Sequence, residues 1–282
     1  MKEVKLYLGY AGFCKAKESH TIKGGANKEI KFQALFGLIQ HPQQGWILYD
    51  TGYTTRFYEF TKNYPNKIYA NLTKVFVTKE DEIKAQLKHF NLEPSAIKHI
   101  IITHFHADHV GGLKDFDEAT FYCSKAAYKQ LKEISSFWGF SKAILKDLIP
   151  ENFEERLKII EAFSTSVNDE IFGKKHDLFG DDSLNIYDLP GHAAGQIGVE
   201  LKTAKQKYFL IADACWNKKS YIDLLLPPSI VRLFFDSWQN FKDSLRKVNK
   251  FYKKFPEVII VPTHCSATTS TLISNNYDIN AL

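Results

Sequence analysis

A tight cluster of metal-capable side chains directly follows an apolar run at residues 100–102. Three histidines and one aspartate stand within six positions, at His104, His106, Asp108 and His109. A buried strand that ends in such a cluster delivers these side chains to the edge of a sheet, where substrate can reach them. Imidazole nitrogen and carboxylate oxygen are ligands that suit Zn²⁺ and similar metals. The cluster therefore predicts a metal site, and a histidine-rich surface loop is the weaker interpretation.

Residues of the same kind recur at the ends of other predicted strands. The apolar runs at residues 46–49, 208–211 and 258–261 are followed by Asp50, Asp213 and His264. His192 lies in a predicted tight turn after a further strand. Asp50 could accept a hydrogen bond from a ligand imidazole, or it could simply form a turn before Thr51 and Gly52. Because strand ends meet at sheet edges, these residues predict one shared site.

Charge and hydropathy exclude several classes of function. The 282 residues carry a formal charge of +5, and the lysines are scattered among acidic residues. A scattered excess is typical of a solvated surface, so we expect no nucleic-acid partner. We also expect no membrane span and no signal peptide, because no apolar run is long enough. The four cysteines form no CxxC pair, which favours a cytoplasmic protein with reduced thiols.

Strand and helix patterns alternate in both halves of the chain. This alternation is typical of sheets covered by helices, an α/β architecture. No low-complexity segment interrupts it, so we expect one domain over residues 1–282. Residues 134–179 mix aromatic and charged residues without strand alternation, and they are predicted to be a largely helical insertion. Phe137 and Trp138 in this segment either pack against the core or line a substrate pocket.

The candidate ligands outnumber those that one tetrahedral zinc requires. Five imidazoles and two carboxylates are available, at His104, His106, Asp108, His109, His192, Asp213 and His264. A catalytic zinc takes three protein ligands and keeps one position open. Two metals that share a bridging carboxylate would use the whole set.

The sequence also resembles a known family. The segment from His104 to His109, followed by Gly111 and Gly112, is similar to the HxHxDH signature of the metallo-β-lactamase superfamily. The downstream His192, Asp213 and His264 occur in the order that this superfamily requires. The resemblance implies a four-layer αββα sandwich of two mixed sheets, with a dinuclear site at one sheet edge.

The same resemblance implies a role for each ligand. One metal would be bound by His104, His106 and His192. The other would be bound by Asp108, His109 and His264, and Asp213 would bridge the two. Asp50 would not bind a metal itself but would orient a ligand imidazole by accepting its hydrogen bond. The expected cofactor is a pair of Zn²⁺ ions, with Fe or Mn possible in their place.

Such a site predicts hydrolysis without a covalent enzyme intermediate. Metal binding lowers the pKa of water to about 7, so a hydroxide held between two cations can attack an electrophilic carbonyl. Asp108 is then the expected residue to accept and return a proton. A thioester hydrolase, a phosphodiesterase or a non-catalytic metal or redox module are the alternatives.

Within the superfamily the chain looks most like the N-acyl homoserine lactone lactonases. Members of that branch carry a substrate-holding tyrosine three residues after the bridging aspartate, where this chain has Trp216. We expect a small hydrophobic lactone or ester as substrate. The apolar residues Phe137, Trp138 and 224–231 would wall an acyl groove, with Trp216 and Tyr221 at its polar end. A packed lid or the contact surface of a homodimer is the alternative role of these segments.

Overall fold

The computed structural model describes residues 1–276 and shows two facing β-sheets. The strands are β1 (Lys5–Lys17), β2 (Glu29–His41), β3 (Gly45–Tyr49), β4 (Val75–Phe76), β5 (Ile97–Ile101), β6 (Thr120–Cys123), β7 (Leu157–Ile159), β8 (Thr165–Asp169), β9 (Gly173–Asp177), β10 (Leu184–Asp188), β11 (Ile197–Lys202), β12 (Lys207–Ala212) and β13 (Ile259–Pro262). The first sheet has seven strands in the order β4-β1-β2-β3-β5-β6-β7. The second has six in the order β13-β12-β11-β10-β9-β8.

Both sheets are mixed, as predicted. In the first sheet β3, β5, β6 and β7 run parallel, while β1, β2 and β4 pair antiparallel. In the second sheet β12 and β13 are parallel and the other pairs are antiparallel. The carboxyl ends of the parallel strands therefore lie at a common edge within each sheet.

Helices cover the outer faces. They are α1 (Glu18–Thr21), α2 (Arg56–Phe60), α3 (Lys67–Leu72), α4 (Ile83–Gln86), α5 (Ala107–Val110), α6 (Lys125–Glu133), α7 (Ile160–Phe163), α8 (Lys218–Asp223), α9 (Trp238–Lys254) and α10 (Ser266–Asn276). Short 3₁₀ helices occupy Leu87–Phe90, Pro94–Ala96, Leu113–Asp115, Gly139–Lys142, Lys146–Leu148, Glu154–Arg156 and Ser229–Phe234. Serine side chains cap two of the longer helices, because Ser124 and Ser237 accept hydrogen bonds from the backbone N–H groups of Ala127 and Asn240.

Alternating strand residues feed three apolar layers. Ile47 and Tyr49 of β3 face the space between the sheets, whereas Leu48 faces the helices on the outer side of the first sheet. Ile260 and Val261 of β13 divide in the same way between the outer and inner layers of the second sheet. Strands that are apolar on both faces are buried on both faces. The predicted four-layer αββα sandwich is confirmed.

The prediction of a largely helical insertion at residues 134–179 is wrong for its second half. β7, β8, α7 and β9 lie there, and β8 and β9 form the antiparallel edge of the second sheet. Every residue of β8 from Thr165 to Asn168 is exposed, so neither face shows an apolar alternation that the sequence could have revealed. Polar edge strands of this kind give no period-two signal. The prediction of one domain over residues 1–282 extends beyond the described residues and stays a prediction.

Within residues 1–276, no helix combines the length and the apolar composition needed to cross a membrane.

The turn that carries His192 packs directly on the start of α9. Ser244 of α9 donates a hydrogen bond to the carbonyl of Pro190 at 2.7 Å, and the N–H of Ser237 donates to the carbonyl of Gly191 at 3.0 Å. Gly191 has φ +131, and a Cβ at this position would lie 2.0 Å from the backbone nitrogen of Phe241. Only glycine permits both this backbone conformation and this close approach.

Replacing Gly191 with alanine should therefore lower the free energy of unfolding by roughly 2–6 kcal/mol, because backbone strain and steric overlap each cost about 1–3 kcal/mol. Urea unfolding measures this loss. Gly45→Ala is the matched control, since Gly45 has φ +71 but open space around its Cα. Equal losses in the two variants would contradict the steric contribution.

Candidate metal centre

The two sheets present their strand ends to each other at one edge. The N–H of Ile197 at the start of β11 donates to the carbonyl of Thr103 beyond β5, at 3.2 Å. The N–H of Ala212 at the end of β12 donates to the hydroxyl of Tyr49 at the end of β3, at 3.0 Å. These two hydrogen bonds join the sheets directly beneath the side chains that follow the strands.

All seven predicted ligands lie together at this edge. Their donor atoms form three groups, each within 4.8 Å: His104, His106 and His192; His104, His109 and Asp213; Asp108, His109 and His264. The first and third groups are the two ligand sets that the family resemblance implies. The second group shares His104 with the first group and His109 with the third, and it adds Asp213.

Asp213 lies between the two ligand sets. Its Oδ2 is 3.3 Å from Nε2 of His192 and 3.1 Å from Nε2 of His264. Its Oδ1 is 3.7 Å from Nε2 of His109. A carboxylate in this position can contact cations on both sides, which suits a bridging ligand.

Several buried atoms in this cluster lack a hydrogen-bond partner. In the part of the chain that the structure describes, they include Nε2 of His104, Nε2 of His109 and Oδ1 of Asp213. An unpaired buried polar group is costly, and folded proteins rarely tolerate one without a reason. Three such atoms among imidazoles and carboxylates fit a site that binds metal through these atoms.

Burial and charge divide the five histidines into two classes. Burial lowers the pKa of His106 to about 3 and that of His192 to about 4. Burial also holds the pKa of His104 well below its usual value, and the neighbouring His109 adds to this effect. These three imidazoles are neutral near pH 7, which is the form that binds a metal.

The other two histidines lie beside carboxylates. Burial alone would lower the pKa of His109, but Asp108 and Asp50 outweigh it and raise the pKa to about 9. Asp213 and Asp108 outweigh burial in the same way at His264, whose pKa is raised to about 10. Without metal the two carboxylates therefore pair with imidazolium groups, and metal binding displaces those protons.

Backbone and carboxylate acceptors orient the rings of two candidate ligands. Asp50, which is fully buried, lies 2.7 Å from Nδ1 of His109 and also accepts from the N–H and hydroxyl of Thr103. Nδ1 of His264 lies 2.7 Å from the carbonyl of Gln33 in β2. Each contact leaves Nε2 directed at the cluster, as second partners of metal-binding histidines do.

The contact between His264 and Gln33 is one that sequence reasoning missed. It uses a backbone carbonyl, so the side chain at position 33 carries no signal for it. The hydrogen bonds from Thr103 to Asp50 were also missed. The sequence carries only a weak signal for them, a hydroxyl residue directly before His104. Asp50 lies where an acceptor for the imidazole of His109 must lie, which was the first of the two roles that the sequence left open for it.

The predicted substrate contacts are dispersed. Phe137 and Trp138 are 60% and 59% exposed, beside the 3₁₀ helix at Gly139–Lys142. Trp216 lies at the cluster, where its Nε1–H donates to Oδ2 of Asp213 at 3.0 Å.

The prediction that Tyr221 lines a groove needs correction, because Tyr221 is 6% exposed in the core between the second sheet and α9. Its ring lies 5.4 Å from that of Tyr252, so burial against α9 decides its position.

Comparison with known sequences identifies the family. The sequence model of the metallo-β-lactamase superfamily matches residues 31–264, which include every candidate ligand. The chain belongs to this superfamily. AttM, an N-acyl homoserine lactonase of Azorhizobium caulinodans, is 26% identical, and the match covers 80% of this chain and 82% of that protein. An N-acyl homoserine lactonase of Bacillus cereus is 23% identical, and the match covers 78% of this chain and 79% of that protein.

Solved structures of the superfamily share the fold. An N-acyl homoserine lactone hydrolase with the product N-hexanoyl-L-homoserine at its catalytic metal centre has a TM-score of 0.73 at 21% identity. The match covers 96% of this chain and 97% of that one. The resemblance to the lactonase branch is thereby confirmed, and the protein is a metal-dependent hydrolase of this superfamily.

Asp50→Asn should weaken metal binding by roughly 10- to 100-fold, the usual effect of losing a partner behind a metal-binding histidine. An amide cannot accept hydrogen bonds on both sides from Thr103 and His109. Titration of metal-free protein with Zn²⁺ against a chelator measures the affinity.

Asp181→Asn is the matched control, because Asp181 likewise contacts a histidine ring nitrogen, Nε2 of His41 at 3.1 Å, and neither residue belongs to a candidate ligand group. We expect it to leave metal affinity unchanged. An unchanged affinity in Asp50→Asn would show that Asp50 acts only in the turn.

Proposed function

We propose that this superfamily member is a dinuclear metal-dependent hydrolase of lactones or esters, with N-acyl homoserine lactones as the leading substrate class. The observation that carries the proposal is the arrangement of seven donors as two sets joined by Asp213. The names of the relatives support the substrate class.

Each set would hold one metal ion, Zn²⁺ in the first instance, with Fe or Mn as substitutes. His104, His106 and His192 would hold one ion, and the set from Asp108, His109 and His264 would hold the other. The pair of ions would supply water of lowered pKa and a Lewis acid for the carbonyl oxygen. The protein supplies the fixed donors and a buried setting.

In this proposal, Asp108 has the role of moving a proton. Its Oδ2 lies 3.3 Å from Nε2 of His264 and 3.5 Å from Nε2 of His109. Burial would raise its pKa, but the positive charge on His109 outweighs burial and lowers the pKa to about 2. Asp108 is therefore a carboxylate at neutral pH in the metal-free protein, and bound cations would favour the same form. In that form it would accept a proton from the attacking water and return it to the leaving alkoxide.

A protein nucleophile is unnecessary in this scheme. Cys215 and Cys265, which stand closest in sequence to the ligands Asp213 and His264, are 1% and 3% exposed. Burial raises the pKa of the Cys215 thiol well above its usual value, which disfavours the reactive thiolate. The four cysteines are free and buried, in keeping with a cytoplasmic enzyme.

An apolar rim next to the first ligand set supports a hydrophobic substrate. The ring of Phe235 lies 5.4 Å from that of His192 and follows the 3₁₀ helix at Ser229–Phe234. The exposed fractions of Leu233 and Phe234 in that helix are 70% and 59%. Nζ of Lys142 lies 3.4 Å from the carbonyl of Phe235 and so connects this helix to the segment that carries Phe137 and Trp138. Ligand pockets are mostly apolar with a few polar anchors, as an acyl chain requires.

The metal dependence is tested on purified protein. We expect about two metal ions per chain and hydrolysis of N-acyl homoserine lactones, whereas His109→Ala should bind less metal and lose hydrolysis. His89→Ala is the matched control, because His89 is exposed and lies outside the cluster. Fewer than about one ion per chain, with no hydrolysis after Zn²⁺ is added, would exclude the dinuclear enzyme. Parallel assays with thioesters and phosphodiesters show whether the same centre prefers another electrophile.

The substrate class is tested with a series of acyl-chain lengths. We expect kcat/KM to rise by up to about fourfold per methylene, from the roughly 0.8 kcal/mol that burial of one CH₂ contributes. Phe234→Ser should flatten this dependence. Val167→Ser is its control, because Val167 is 57% exposed on β8 at the sheet edge. A rate independent of chain length in the unaltered protein would contradict the acyl groove, and the rim would then be better explained as a dimer contact.

A further inference from the structure

Trp216 donates its single hydrogen bond to the carboxylate that joins the two ligand sets. Its Nε1 lies 3.0 Å from Oδ2 of Asp213. The same oxygen is 3.1 Å from Nε2 of His264 and 3.3 Å from Nε2 of His192. The indole therefore contacts Asp213 at the atom that faces both ligand sets.

The ring of Trp216 is held between aromatic partners of both sets. It packs edge-on against His192, with ring centroids 5.6 Å apart, and against Phe32 at the same distance. Phe32 in turn stacks on His264, with centroids 4.3 Å apart and an angle of 15° between the planes. The ring of Phe235 lies 5.4 Å from that of Trp216. These contacts fix the direction of the indole N–H.

This geometry leaves no donor for a substrate. An indole has one N–H and no acceptor. Trp216 cannot donate to a substrate carbonyl unless it releases Asp213. Trp216 was predicted to hold substrate at the polar end of the groove, but its one polar atom is already bonded to Asp213.

We propose that Trp216 is a positioning residue for the metal pair, which acts by holding Oδ2 of Asp213 towards both His192 and His264. This inference rests on the proposed dinuclear function. A free carboxylate rotates about its terminal bond, whereas a donor aimed at one oxygen selects one orientation. Partners of this kind behind a metal ligand typically change metal affinity by 10- to 100-fold.

Trp216→Phe tests the proposal, because it keeps an aromatic ring and removes the N–H. We expect Zn²⁺ affinity to fall by roughly 10- to 100-fold in competition with a chelator. We also expect the Co²⁺ absorption titration to saturate at a higher metal concentration. Replacing Trp216 with 3-benzothienylalanine is a second variant that keeps the two-ring shape with sulfur in place of the N–H, and it should show the same loss.

Trp238→Phe is the matched control for aromatic packing. Trp238 packs against the apolar residues next to Trp216, and its ring is 5.4 Å from those of Phe235 and Phe241. We expect its metal affinity to equal that of the unaltered protein. The thermal midpoint of each metal-free variant reports packing separately. The rise in midpoint on adding Zn²⁺ should be smaller in both Trp216 variants and unchanged in Trp238→Phe.

The outcomes separate this inference from the proposed function. If the unaltered protein binds two ions and both Trp216 variants bind them equally tightly, the positioning role is wrong and the dinuclear enzyme stands. An equal loss in Trp238→Phe would assign the effect to packing and overturn the role of the N–H. If the unaltered protein binds no metal, the proposed function fails and this inference fails with it.

Discussion

The buried carboxylate of Asp50 is the constraint on which the arrangement of the site depends. Burial raises its pKa, because a charge without water is unfavourable, and contacts with His109 and Thr103 oppose that effect. The N–H of Asp50 also donates to the carbonyl of Ile101, which aligns the end of β3 with the end of β5. One residue thus joins two parallel strands and orients the imidazole of His109, a candidate ligand. The left-handed backbone at Asp50, with φ 55, is the local strain that this position requires.

The second sheet contributes through a similar strained turn. Ala212 has φ 47 directly before Asp213, and its N–H donates to the hydroxyl of Tyr49 from the opposite sheet. Left-handed backbone is uncommon for residues other than glycine and costs about 1–3 kcal/mol. Its presence at the end of a strand in each sheet shows that packing between the sheets holds both turns. The rigid sandwich therefore fixes the distance between Asp213 and the histidines from β5.

Particular residues show where sequence reasoning succeeded and where it failed. The ligands stand after apolar strands, and both their residue types and their positions carry the signal. The hairpin of β8 and β9 gave no signal, because Val167 is the one apolar side chain of β8 and neither strand alternates apolar with polar residues. Tyr221 was misplaced because an aromatic residue near the ligands in sequence can face either the site or the core. Only packing against α9 decides between these orientations.

The sequence by itself determined the set of candidate ligands and the alternation of strands and helices in this metallo-β-lactamase superfamily member. Five imidazoles and two carboxylates at strand ends, and strands that are apolar on both faces, are local features that a single chain displays. The tertiary structure decided which atoms meet. The carbonyl of Gln33 behind His264 and the indole of Trp216 on Asp213 join elements that are distant in sequence or depend on a side-chain rotation. Such contacts arise only when the two sheets pack, because packing fixes the directions of side chains that the sequence leaves free.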